Sequence, residues 1–330
     1  MRHLAISLSL VASLGLIACG PPPLNTAATE TLNGFEPADL TDTEVRNDGL
    51  YSAPQAYAVG MFMALGLAGE LQSGAEADGC PTLTLNENTR TYEGKGCTTA
   101  DGVTYNGKVV ATISATTTTF HTTAGNASPE AEAPDDIEVE FIGFSKSEAK
   151  GCDDGVSTVT VTATYNGTFF SHRGEDDMTF EYGVRVDGEA TDLAACTKTP
   201  QKGGMEYSGT ASQLVDSDSN GSVDKSVWSG YGRAGNSVDG VISNQTIDEV
   251  FDISVCATEA VSGKTIQRAG EHVAEYTYDG AESCSPDSIV PWTLNGEAQT
   301  PLESMSCASA GGEAGWAGLL LLGLLRRRRQ

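Results

Sequence analysis

From Thr82 to Tyr278 apolar and polar residues alternate almost without interruption. Thr82-Leu83-Thr84-Leu85, Val109 to Ser114, Ile137 to Phe141, Val156 to Phe170 and Met178 to Val186 follow a period of two. So do Met205 to Val215, Ser226 to Tyr231, Val250 to Val255 and Glu271 to Tyr278. That period sends successive side chains to opposite faces of a strand. Thr, Val and Tyr, frequent in these runs, suit half-buried strands. Asp101-Gly102, Asp154-Gly155, Asp187-Gly188 and Asp239-Gly240 fall between them as turn signals. The pattern predicts an all-β body over residues 76–300: one antiparallel, strongly curved meander or barrel-like sheet. A different spacing marks Ala53 to Leu71, APQAYAVGMFMALGLAGEL, where good helix formers and a helical apolar period predict one short N-terminal helix within 51–75. Its Met61-Phe62-Met63 cluster reads as core packing. Residues 19–50 are polar and poor in aromatics, and read as a tether. The polar, proline-bearing window 124–136 reads as a loop.

One element recurs inside the strand region: an aromatic, any residue, then glycine. It occurs at Tyr92-Glu93-Gly94, Tyr105-Asn106-Gly107, Tyr165-Asn166-Gly167, Tyr207-Ser208-Gly209, Trp228-Ser229-Gly230 and Tyr278-Asp279-Gly280. Within a strand, each aromatic would share a face with its own glycine, which lets the sheet bend beneath a covering ring. At Tyr105, Tyr165 and Tyr278 the alternative is a strand end, with Asn-Gly or Asp-Gly making a hairpin turn.

Charge narrows the partners. The chain has 45 acidic and 19 basic residues, a formal net charge of −26. Five of those basic residues, Arg2 and Arg326 to Arg329, lie at the extreme ends, so 14 face the 45 acids elsewhere. Such a body repels nucleic acid and attracts cations.

The eight cysteines divide in the same way. Cys19 and Cys307 sit in the end segments. Cys80, Cys97, Cys152, Cys196, Cys256 and Cys284 remain, an even number that implies disulfides in an exported chain. Pairing of sequence neighbours, 80–97, 152–196 and 256–284, is the simplest of the 15 connectivities that six cysteines permit. No C-x-x-C spacing supports structural zinc.

The ends carry the most specific signals. Leu4 to Ala18 is an apolar run behind Arg2 and His3, shorter than the about 20 residues needed to cross a bilayer. It closes on Leu16-Ile17-Ala18-Cys19, which resembles a bacterial lipobox. That resemblance implies a signal peptide over 1–18, cleavage before Cys19 and acylation of that cysteine. Cys307, the small-residue linker Ala308-Ser309-Ala310-Gly311-Gly312, the apolar run from Gly315 to Leu325 and Arg326 to Arg329 resemble a myxobacterial C-terminal sorting signal over 301–330. The resemblance implies Cys307 as a second lipid attachment point, with the arginines held on the cytoplasmic side. As a helix the run from Gly315 to Leu325 rises only about 17 Å, against a hydrocarbon core of about 30 Å.

Chemistry within the body is sparse. Asp216, Asp218, Asn220 and Asp224, with Gly221 between the last two, resemble the calcium loops of EF-hand, dockerin and thrombospondin-type repeats. Position 12 of that pattern is Val227, where an EF-hand places glutamate, and the same residues also suit an acidic hairpin turn. Gly230-Tyr231-Gly232-Arg233-Ala234-Gly235 matches G-x-G-x-x-G, but its surroundings are those of strands, not of a strand and helix. No G-x-S-x-G or H-E-x-x-H appears. His121, His172 and His272 stand apart in sequence. The expectation is an exported, membrane-anchored surface lipoprotein with a structural or binding role. The alternatives are a lipocalin-like carrier with an apolar lumen and a surface hydrolase.

Overall fold

The computed structural model describes residues 26–114, 136–174, 177–215, 224–252, 254–255, 260–279, 289–300 and 302–303. The strands in chain order are β1 (Thr82–Asn86), β2 (Thr89–Glu93), β3 (Cys97–Thr98), β4 (Thr104–Ser114), β5 (Asp136–Gly151), β6 (Thr158–Arg173), β7 (Asp177–Asp192) and β8 (Thr197–Val215). There follow β9 (Lys225–Asn236), β10 (Gly240–Asp252), β11 (Ser262–Ala269), β12 (His272–Asp279), β13 (Ile289–Val290), β14 (Trp292–Leu294), β15 (Glu297–Ala298) and β16 (Leu302–Glu303). Fourteen of them form one antiparallel sheet whose order follows the chain from β1 to β15, with β3 paired beside β4. β13 and β16 make a separate two-stranded sheet. β1 and β15 are not paired with each other, so the meander is open and the barrel does not close.

Alternation assigns the two faces. In β7, Met178, Phe180, Tyr182, Val184 and Val186 are buried, and in β5 Ile137, Val139 and Phe141 are buried while Glu138 and Glu140 are exposed. We call the face bearing Phe141, Phe169, Tyr182 and Tyr207 the inner face. Bulges interrupt the alternation. In β5 one extra residue, with Gly143 at φ 53°, lets both Phe141 and Phe144 point inward. The same bulge shifts the register against β4 between Asn106 and Lys108, and further bulges lie in β8 at Ser212/Val215 and in β10 at Ile247/Val250. Each adds local twist, which bends these long strands.

The glycines of the aromatic-x-glycine elements work differently from expectation. The Tyr207 ring does not cover Gly209 of its own strand. It lies against Gly230 and Gly232 of β9, where an added Cβ would stand 2.5 Å and 2.1 Å from the ring. Phe180 covers Gly209 of β8 in the same way, at 2.5 Å. Cover comes from the neighbouring strand because cross-strand positions are closer than i and i+2 along one strand. Asn106-Gly107 and Asn166-Gly167 lie inside β4 and β6, so they are not hairpin turns. Gly280 lies outside the described residues.

The helices depart furthest from the sequence reading. In place of a tether and one helix, residues 26–78 form α1 (Thr26–Asn33), α2 (Thr43–Asp48), α3 (Ala53–Met61), a π turn (Phe62–Gly66) and α4 (Leu67–Asp78). α1 packs on the outer face. Leu32 sits over Gly204, Thr29 Oγ1 donates to Glu206 Oε2 at 2.6 Å, and Arg233 bridges Glu206 and Asn33 at 2.6 Å and 2.8 Å. The chain then crosses the rim of the sheet. Pro37 pairs in parallel with Val241, with Ala38 N–H donating to Val241 O at 3.1 Å and Val241 N–H to Glu36 O at 2.9 Å. Gly240, at φ 89°, permits this passage, because a Cβ there would be 2.6 Å from Glu36 O. α2, α3 and α4 follow on the inner face.

Small helix residues meet large strand residues there. Ala53, Ala56, Gly60, Ala64, Ala68 and Leu71 form the buried stripe. A Cβ on Gly60 would be 2.7 Å from the Phe169 ring and 2.8 Å from the Tyr182 ring. Tyr57 inserts between Phe180 and Trp228, at centroid distances of 5.2 Å and 5.8 Å. This is the main core. A second apolar cluster joins Leu40 and Ala38 to Ile242, Tyr276 and Trp292.

Candidate functional site

The inner face changes character across the sheet. From β2 to β7 it is apolar and aromatic; from β10 to β12 a row of polar side chains lies beside the second apolar cluster. Asn244, Thr246, Glu249, Thr265 and Gln267 are all at least 98% buried there. Several of their partners are backbone groups of α2, of the turn after it and of the first residue of α3. Asn244 Nδ2 donates to Gly49 O at 3.0 Å, and Ala53 N–H donates to Thr246 Oγ1 at 2.7 Å. Gln267 Nε2 donates to Arg46 O at 3.0 Å, and Tyr276 Oη donates to Gln267 Oε1 at 3.0 Å. A buried, non-repetitive backbone must find hydrogen-bond partners, and these strand side chains supply them. Arg46 lies with its guanidinium 4.4 Å from the Trp292 ring centroid, and its Nη1 donates to Leu40 O at 3.0 Å. The polar half of the face is therefore occupied by the protein's own chain.

Glu249 is the most perturbed acid of this seam. Asp248, at φ 47°, forms the bulge of β10 that turns Glu249 inward. Oε1 accepts from Thr265 Oγ1, and Oε2 has no partner among the described residues. Burial pushes its carboxyl up to about 7, and the Thr265 bond, with the nearby Ser52 and Tyr278 hydroxyls, offsets that only partly.

Three residues of catalytic type do meet on the outer face. Ser114, Asp136 and His172 are register neighbours on β4, β5 and β6. Ser114 Oγ donates to Asp136 Oδ2 at 2.9 Å, and His172 Nδ1 lies 2.6 Å from Asp136 Oδ1. The carboxylate sits between the hydroxyl and the imidazole. A hydrolytic relay needs the imidazole in the middle, where it can take the hydroxyl proton. This row holds Asp136 below the usual carboxylate range through the His172 bond first and the Ser114 bond second. It does not activate Ser114.

A cleft of about 120 Å³ opens between α4 and the pair β2 and β4. Ala68, Gly69 and Ser73 are too small to fill it, and Tyr92, Ala111 and Ile113 form its floor. Its lip is a polar chain: Arg90 Nη1 donates to Gln72 Oε1 at 2.7 Å, and Gln72 Nε2 donates to Glu76 Oε1 at 2.8 Å.

No protein-family model matches this chain, and neither a curated protein nor a solved structure matches it. Function must therefore be argued from the residues.

Asp216, Asp218 and Asn220 of the calcium-like loop lie outside the described residues. Asp224 closes the neck of that connection, its N–H donating to Val215 O at 2.6 Å. Among the described residues no three His, Cys, Asp or Glu side chains gather as a metal site. Cys80 is bonded to Cys97 and Cys152 to Cys196. Cys19, Cys256, Cys284 and Cys307 lie outside the described residues. The strand ends preceding Cys256 and Cys284, at Asp252 and Asp279, both flank the start of β11. Sequence reasoning missed Glu249 and the seam, because neither a bulge nor an extended segment crossing the rim leaves a periodic signal.

Proposed function

We propose that this is an exported, lipid-anchored surface protein with a binding or structural role, attached through Cys19, Cys307 or both. The observation that carries the reading is the cross-linking of the body. Two cysteine pairs, 17 and 44 residues apart, are bonded within a chain whose ends resemble export signals. Such bonds persist in oxidising compartments. The open sheet adds a second support. Its inner face is packed by α2, α3 and α4 and, among the described residues, offers no lumen of the kind a lipocalin-like carrier uses, which favours a partner met on the outside.

Mass spectrometry of the mature protein tests this reading. The expected product begins at an acylated Cys19 or ends near a modified Cys307, with Cys80, Cys97, Cys152 and Cys196 oxidised. A chain running from Met1 to Gln330 with free thiols, recovered from the cytosol, overturns it.

A further inference from the structure

The outer face carries two exposed rings in one row. Phe170 is 39% exposed and Tyr231 51%; among the described residues Phe62, on the helical segment, is the other ring exposed to this degree. The pairing register aligns Glu138 on β5, Phe170 on β6, Glu181 on β7, Ser208 on β8 and Tyr231 on β9. Phe170 is therefore flanked directly by two carboxylates, with Cβ separations of about 5 Å expected for such pairs. Glu140 and Asp136 occupy diagonal positions, and Asp136 is tied to His172. No Lys or Arg occupies any position next to Phe170 on this face. Among the described residues, none pairs with Glu138, Glu140 or Glu181. The chain has no Lys or Arg between Lys108 and Lys146. Arg233, beside Tyr231, is already held by Glu206.

We propose that this row is a docking surface for a basic polypeptide segment, whose Arg or Lys side chains lie over Phe170 and Tyr231 and pair with Glu138 and Glu181. The inference deepens the surface-binding reading and rests on it. A ring face bordered by carboxylates attracts a cation twice, through the quadrupole of the ring and through the charges. Three strand spacings separate the rings, about 14 Å. Alternate residues of an extended peptide repeat every roughly 7 Å, so every second basic residue of an alternating segment meets a ring. Partial burial already raises the Glu181 carboxyl, so part of its desolvation precedes any partner. The formal charge of −26 draws a basic segment from a distance, and the row gives it a place to settle.

The test uses the full-length folded protein and a fluorescent peptide of alternating arginine and serine. Anisotropy is measured at low and physiological salt. Phe170→Ala leaves every charge in place, so general attraction by an acidic protein predicts no change. The proposal predicts binding weakened by about fivefold for Phe170→Ala, and by more for Glu138→Gln with Glu181→Gln. Glu87→Gln with Glu297→Gln, two exposed acids away from the row, should leave binding within about twofold. Equal losses in both acid pairs, an unchanged Phe170→Ala, or no peptide binding overturns the proposal. So does binding of a neutral oligosaccharide at these rings without the peptide. Circular dichroism checks that each variant is folded. Processing of the chain ends is read separately, so failure of the export reading and failure of this surface are distinguishable.

Discussion

Raising the pH from 4.5 to 9 should remove about 3 kcal/mol of unfolding free energy through Glu249, and Glu249→Gln should abolish that share of the loss. The sign follows from linkage. The native carboxyl is pushed up to about 7 from an unpaired value of 4.5, so the native state holds a proton that the unfolded chain releases. The stabilisation is complete below 4.5 and disappears as pH rises through about 7. Each tenfold change in the proton equilibrium is worth about 1.4 kcal/mol, which gives the magnitude. The physical reason is local: no cation pairs with Glu249 among the described residues, and one of its oxygens lacks a partner there. Other acids also titrate over this range, so the informative quantity is the difference between the two proteins. Urea unfolding at pH 5, 7 and 9 provides it. Parallel stability curves for the native protein and Glu249→Gln would show that Glu249 is solvated, and that α2 and α3 do not seal the seam.

Replacing Cys152 and Cys196 together by serine should cost about 4 kcal/mol, against about 3 kcal/mol for Cys80 with Cys97. The difference reflects loop length. The first bond closes 44 residues and the second 17, and a cross-link restricts the unfolded chain more as the loop grows. Cys152 follows β5 directly and Cys196 precedes β8. Between them β6 and β7 make the far ends of the four longest strands, beyond the reach of the helices. Asp153 N–H donates to Leu193 O at 3.0 Å, a backbone link that ties the two turns together beside that bond. Denaturant midpoints with unchanged slope would measure the loss. A cost below about 1 kcal/mol would contradict the account of this end of the sheet.

Much of the sheet was legible because period-two alternation is a direct consequence of strand geometry. Ile137, Val139 and Phe141, alternating with Glu138 and Glu140, already assign the two faces of β5. The nearest-neighbour pairing of Cys80, Cys97, Cys152 and Cys196 follows from the same meander, since sequential strands are spatial neighbours. Residues 26–50 were not legible. α1 contributes only Ala28 and Leu32 as fully buried apolar residues, too few for an amphipathic period. Arg46 reads as a solvated charge until Trp292 is placed beneath it. Asn244, Thr246 and Gln267 alternate as a polar strand face ordinarily does toward water; only the crossing at Pro37 and Val241 reveals that they face protein. Closure was not legible either, because strand alternation is the same in an open sheet and a barrel.

The N-terminal helices fill the inner face of the sheet, and native-state hydrogen exchange of residues 53–71 tests that most directly. The amide of Ala53, bonded to Thr246 Oγ1, and those of Gly60, Ala64 and Ala68 should exchange as slowly as the amides of β7 and β8. Exchange in this helix faster by orders of magnitude than in those strands would contradict it. The helix would then open independently of the sheet, leaving Phe169, Tyr182 and Tyr207 free to meet a ligand.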